Sequence, residues 1–370
     1  MTTLRDKFRG CIGASWVGSA MGAAVEGWTP QRIVQTHGHL ERLLSYKHYT
    51  QITDWQRPPG TTEDGIERQK LIAMAIIEKR DRIRADDLVA VWLRDLEPER
   101  MKYKQEAFDR SLLELARAGV PPSELGRLCP FYNVVSMARA SHPLGLINAA
   151  DPAGAADDSI EVGKVYAKET AFALRWAALY NAAIAEACRP EATVRSVVET
   201  ARQFATWRAE AGSLYALYDR IEPEVNRALE LAAGAQSAEA LREAFDPHYS
   251  GGGHVIYGMS QANEVVAKGL AVFAFCQGDA RQAILTAVNF GRDTDCLAAV
   301  AGGLAGALSG AGGLPAEWIR QVNEATLADP YTSNRRTIEQ TADGLLEAFL
   351  QRQRRAREHA QQMLQPEYVG

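Results

Sequence analysis

Gly291-Arg-Asp293-Thr-Asp295-Cys-Leu-Ala-Ala-Val-Ala-Gly-Gly-Leu-Ala-Gly-Ala-Leu308 is the stretch on which the fold turns. It opens with carboxylates at i and i+2 and continues as a run of small and apolar residues. Leu297, Val300, Ala301, Leu304 and Leu308 recur at helical spacing. Gly302, Gly303 and Gly306 lie beside them, where close packing must offset a helix-propensity cost of roughly 1 kcal/mol each. The reading is a core helix from Cys296 to Gly310, entered through an acidic loop. Taken alone, Asp293-Thr-Asp295 is explained by helix capping, because acids at a helix start satisfy free N–H groups and suit the dipole.

A second acidic entry lies far upstream. Thr61-Thr62-Glu63-Asp64 follows the turn Pro58-Pro59-Gly60 and opens a helix running to about Lys79. Capping is open there too, with threonine at the N-cap. Two such loops facing each other would instead supply the all-oxygen shell that Mg²⁺ or Mn²⁺ prefers. At the N-terminus, Arg5, Lys7 and Arg9 precede the uncharged run from Gly10 to Val25, a pattern that imitates an export signal. The run is rich in glycine, alanine and serine, and is too weakly apolar for a membrane span of roughly 20 residues. Ala14, Gly18 and Gly22 recur every fourth position and make one smooth helix face for close approach of a neighbour. A buried central helix is expected.

Phe172, Trp176, Leu179 and Ala183 mark a further core helix, and another is expected from about Gln261 to Phe275. Breaks fall at Pro121-Pro122, Asp151-Pro152, Ser250-Gly251-Gly252-Gly253 and Gly312-Gly313-Leu314-Pro315, with no long linker, no repeat and no comparable strand pattern. The expectation is a compact all-α protein with one domain over residues 1–370. It ends in a charged helix at about 337–365, whose Arg352, Arg354, Arg355 and Arg357 read as a solvated face.

The 370 residues are 46% hydrophobic, enough for a large core, and the net charge of −5 offers no basic surplus for a nucleic-acid backbone. Cys11, Cys129, Cys188, Cys276 and Cys296 are odd in number and widely spaced, so a cytoplasmic protein with free thiols is expected. The substrate-side candidates are Asn148 and the loop Gly251-Gly252-Gly253-His254, whose bare backbone could approach a phosphate or ribose. His142 and the tryptophans, Trp16 included, read as hydrogen-bonded or core residues.

The segment Gly10-Cys-Ile-Gly-Ala-Ser-Trp-Val-Gly-Ser-Ala-Met-Gly-Ala-Ala-Val-Glu26-Gly resembles the N-terminal signature of the ADP-ribosylglycohydrolases, a family that also includes crystallin-like members. Thr62-Glu63-Asp64 resembles the family's Thr-Asp-Asp, and Asp293-Thr-Asp295-Cys296 with its small-residue helix resembles the Asp-Thr-Asp-Thr signature. The likeness runs over about residues 5 to 320, in the family's order. It implies the family's helical fold around a central cleft, in which one or two divalent cations, usually Mg²⁺ with Mn²⁺ as an alternative, hold a ribose and position a water.

Carried over by position, Thr62, Glu63, Asp64, Asp293 and Asp295 are the implied metal shell, and Glu26, Asp64 and Asp293 the implied catalytic residues. The implied reaction is hydrolysis of an N- or O-glycosidic bond to ribose, in an ADP-ribosylated or nucleoside-like substrate. A pathway glycosidase on a smaller ribosyl metabolite and a catalytically silent binding protein are the other readings. The sequence also departs from the family at Ser19, Glu63, Gly65 and Cys296, where relatives carry aspartate, aspartate, threonine and threonine. Loss of two hydroxyls, and a soft sulfur that suits Mg²⁺ poorly, predict that one metal position is weak, missing or taken by another cation.

Overall fold

The computed structural model describes residues 2–48, 54–207, 220–249 and 260–365. Helices account for nearly all of its regular structure, and β-type pairing among the described residues is confined to the isolated bridges Tyr46–Arg57 and Val134–Gln261. No described helix is long and apolar enough to cross a membrane. The all-α expectation is met.

The N-terminal helix, Leu4–Gly22, begins at Thr3, whose hydroxyl accepts from the Asp6 amide, and is buried almost all round beyond its first turn. Its main neighbour is the helix Thr294–Ser309. The pair meets backbone to backbone: a Cβ added at Gly10, Gly18 or Gly306 would overlap main-chain atoms of the facing helix, and one at Gly22 would lie 2.5 Å from the Thr294 carbonyl. The small-residue face expected at Ala14, Gly18 and Gly22 is therefore the central seam of the protein. Around it pack Phe172–Ala187, Ala262–Phe275, Ala280–Val288 and the first half of Ile338–Met363. Trp16 and Trp176 are fully buried, as expected of core residues.

The last helix divides the arginine run. Arg352 donates to the Ile147 carbonyl and Asn148 Oδ1, and Arg355 to the Arg80 carbonyl and Asp81. The run thus docks the helix through those two residues, whereas Arg354 and Arg357 are exposed as expected. The five cysteines are all free thiols.

Candidate active site

The central seam delivers two loops to one place. After Gly22 the chain makes a short turn, Ala23–Val25, and presents Glu26. The Gly27 amide donates to the Arg292 carbonyl at 2.8 Å and the Arg292 amide to the Trp28 carbonyl at 2.9 Å, which ties this loop to the one carrying Asp293. Gly27, Gly291 and Arg292 all have positive φ, the conformation this tight pairing requires. Thr294 adds a third tie through its hydroxyl, which donates to the Gly22 carbonyl at 2.8 Å.

Capping explains one acidic entry and not the other. Asp293 is a true N-cap, accepting from the Cys296 amide at 3.3 Å. The helix Asp64–Lys79 starts after Glu63, not after a threonine, and the Glu63 side chain makes no cap hydrogen bond. Its carboxylate instead accepts from Tyr46 Oη and Arg57 and lies 3.1 Å from His48 Nε2. Burial alone would raise Glu63, but the charges of Arg57 and His48 outweigh it and hold the carboxyl well below its usual range.

Asp64 is held just as firmly. Its Oδ1 accepts from the Gly65 amide and from Arg139, and its Oδ2 lies 2.8 Å from Arg68, which also clamps Asp109. Burial works against ionisation of Asp64, yet Arg139 and Arg68 prevail and its pKa falls. Arg139 comes from the short helix Ser136–Ala140. Its guanidinium reaches Asp64, lies 3.0 Å from Asp295 Oδ2, and donates to Cys296 Sγ at 2.6 Å.

Asp293, Asp295 and Cys296 stand close enough together for one cation to reach all three. Asp293 Oδ2 and Asp295 Oδ1 are buried and have no hydrogen-bond partner. Burial raises the Asp295 carboxyl well above its usual range even beside Arg139, and the Asp293 charge adds to the rise. Glu26 is raised well above its usual range too, first by burial and then by Asp295, Asp293 and Glu63. Glu26, His48, Asp64, Arg68, Ser136 and Arg139 line one cleft, with free space of about 30 Å³ within the described residues.

These contacts test the metal shell implied by the sequence. Both Asp64 oxygens and Glu63 Oε1 are engaged by protein donors, Glu63 Oε2 faces the His48 ring at 3.1 Å, and Thr62 offers its backbone carbonyl to Lys104 Nζ at 2.6 Å. Glu63, Asp64, Asp293 and Asp295 do come together around Arg139, but a pair of cations does not fit carboxylates so committed to protein cations. Asp293 Oδ2 and Asp295 Oδ1 keep carboxylate oxygen for a cation, and there it would face the Arg139 guanidinium.

The other candidates separate clearly. Asn148 is not in the cleft: it is fully buried, donates to the Leu144 carbonyl and Asp158, and accepts from Arg352, so its part is to tie helices together. Gly251, Gly252, Gly253 and His254 lie outside the described residues. His142 is a core residue hydrogen-bonded to Tyr180, Gln69 and the Ala299 carbonyl, and burial drives its pKa down to about 4. Sequence reasoning missed Arg139, Arg57, Arg68, Tyr46 and His48. The usable signal for Arg139 was a lone charge in the small, apolar segment Ser136-Met-Ala-Arg139-Ala.

A model of the ADP-ribosylglycohydrolase family matches residues 1–355. The chain belongs to that family. A solved structure titled "ADP-ribosylglycohydrolase-related protein complex" superposes with a TM-score of 0.63 at 19% identity, covering 95% of this chain and 100% of that one. At that identity the likeness speaks for the fold. No curated protein matches the chain. Among ADP-ribosylglycohydrolases this one joins the expected acidic loops to a set of buried arginines at the same place.

Proposed function

We propose that this protein is a glycohydrolase that cleaves a glycosidic bond to ribose, with Glu26 as the acid and Asp64 as the base. The observation that carries the reading is a pair of carboxyl groups lining one cleft whose environments push them apart. Glu26 is held towards its neutral form and Asp64 towards its ionised form. A pair so divided is the arrangement glycoside hydrolysis needs, one group to protonate the departing atom and one to take a proton from water. Glu26 gives its proton to the leaving nitrogen or oxygen as the ribosyl bond lengthens. Asp64, kept ionised by Arg139 and Arg68, takes a proton from the attacking water. Asp293 orients the Cys296 helix and adds negative charge near the developing oxocarbenium.

Small ribosyl compounds and ADP-ribosylated side chains are both within this chemistry. A silent binding protein is the second reading, favoured by the engagement of both Asp64 oxygens. The deciding experiment offers ADP-ribosylated arginine and serine peptides, ADP-ribose derivatives and simple ribonucleosides, and measures free ribosyl product. Turnover that falls about 10²–10⁴-fold in Glu26→Gln is expected. Turnover should also fade as pH rises through the elevated pKa of Glu26, since only its protonated form can act. No turnover across the panel supports the silent reading, and an unimpaired Glu26→Gln rejects the acid.

A further inference from the structure

We propose that Arg139 is the resident cation of this cleft: its guanidinium stands where a divalent ion would bridge the two acidic loops, and the protein holds them together without metal. The inference is independent of whether the cleft hydrolyses a ribosyl bond.

The first observation is placement. One guanidinium touches Asp64 from the first acidic loop and Asp295 and Cys296 from the second. A bridging ion would have to contact those same groups, and Cys296 Sγ, a poor ligand for Mg²⁺ or Mn²⁺, serves well as acceptor for an N–H. The second observation is the space made for it. A Cβ at Gly65 would overlap Arg139 Nε, Cδ and Cζ. Gly65 lies in the first turn of a regular helix and is not among the residues with positive φ. Its backbone conformation therefore suits any residue, and the arginine side chain is what requires glycine there.

The third observation is that the surrounding charges are arranged around this arginine rather than around an ion. Arg57 and His48 attend to Glu63, and Arg68 spans Asp64 and Asp109. With Arg139 added, every carboxylate of the first loop is matched by a protein cation. A divalent ion at Asp293 and Asp295 would then lie beside a buried guanidinium with almost no water to screen the repulsion.

The test is metal binding by the full chain, followed by Mn²⁺ electron paramagnetic resonance and by thermal melting in EDTA, Mg²⁺ or Mn²⁺. No substrate enters, so the result is separate from the hydrolysis assay. Wild type should melt at one temperature in all three conditions and leave Mn²⁺ free in solution. Arg139→Ala uncovers Asp64 and Asp295; it should melt lower in EDTA, recover in Mn²⁺, and bind about one ion, with the binding lost again in Arg139→Ala/Asp295→Asn. Gly65→Thr, which keeps the arginine but takes its space, should gain Mn²⁺ binding in the same way. If Arg139→Ala folds only with Mn²⁺ present, the proposal stands. Stoichiometric Mn²⁺ binding by wild type that Asp295→Asn abolishes would overturn it. So would an Arg139→Ala variant as stable in EDTA as wild type, or a pair of variants, Arg139→Ala and Gly65→Thr, that both ignore Mn²⁺.

Discussion

Replacing Gly22 by alanine sets two effects of known sign against each other at the point where the central seam meets the acidic loops. Alanine favours a helix over glycine by about 1 kcal/mol, so on propensity alone the variant gains stability. Against this, the new Cβ would lie 2.5 Å from the Thr294 carbonyl and 2.6 Å from Asp295 Cα and N, where real Cβ contacts do not fall below 3.0 Å. The atoms it meets are main chain and cannot turn aside, so the Thr294–Ser309 helix must retreat by at least about half an ångström. Forced overpacking of this kind costs about 1–3 kcal/mol, which leaves a net loss of up to about 2 kcal/mol, centred near 1 kcal/mol. Gly234, in the last turn of Ile221–Gly234, is the matched control, since a Cβ there meets nothing within 4 Å. Urea denaturation of both variants beside wild type reads the contrast: Gly22→Ala less stable, Gly234→Ala unchanged or slightly more stable. Any turnover should fall more steeply in Gly22→Ala than stability does, because the displaced residue is Asp295. A Gly22→Ala variant as stable as Gly234→Ala would refute the close-packed seam.

Acid should weaken the fold in two separate stages. His142 is neutral when folded, with a pKa of about 4 against 6.5, so the unfolded chain binds the extra proton and about 3 kcal/mol is lost as pH falls from 6.5 to 4. Equilibrium unfolding of His142→Gln across that range should lack this component. Glu67, held down to about 2 against 4.5 with Lys70, Lys104 and Ser333 around it, contributes stability above pH 4.5 that disappears as pH falls towards 2. Glu67→Gln takes from the buried Lys70 the carboxylate it pairs with at 2.8 Å and should cost about 3–5 kcal/mol at neutral pH by the same measurement. Asp293→Asn keeps the cap to Cys296 and should change stability by less than about 0.5 kcal/mol while lowering any ribosyl hydrolysis; equal loss of both would make Asp293 purely structural. Burial lifts Cys188 to about 12, and Cys11 and Cys296 are raised as well, so these three should resist a thiol reagent until the chain is unfolded.

Local rules carried the helices because helical spacing is a local property. The four-residue repeat of small side chains from Ala14 to Gly22 and the run after Asp295 each announce a buried face, and the structure joins those two faces. The resemblance motifs likewise placed Glu26, Glu63, Asp64, Asp293 and Asp295 near one another. What spacing cannot carry is the identity of a partner brought in from elsewhere. Arg139 is 75 residues from Asp64 and 157 from Cys296, and nothing periodic links them. Gly65 was visible as a departure from the family, but a missing side chain announces space without naming the group that fills it. Asn148 was misplaced for a related reason: a lone polar residue between Gly145 and Asp151-Pro152 looks like a pocket residue until the arginine from the last helix is seen to reach it.

The seam between Leu4–Gly22 and Thr294–Ser309 also sets the order in which the chain can be completed. A helix whose closest neighbour lies near the other end of the sequence has no mate while the ribosome is still at work. At roughly 5–20 residues per second, synthesis reaches residue 309 on the order of 15–60 s after residue 22 has been added. During that interval the face that carries Gly10, Gly18 and Gly22 has no cover, and Phe8, fully buried in the finished protein, waits longer still for the Phe349 ring it packs on. The glycines that later admit the Thr294 helix also keep this early segment weakly apolar and poorly disposed to hold a helix alone. Completion of the core is therefore a late event in the life of the nascent chain, and a chain truncated before residue 294 would lack its centre rather than merely its end.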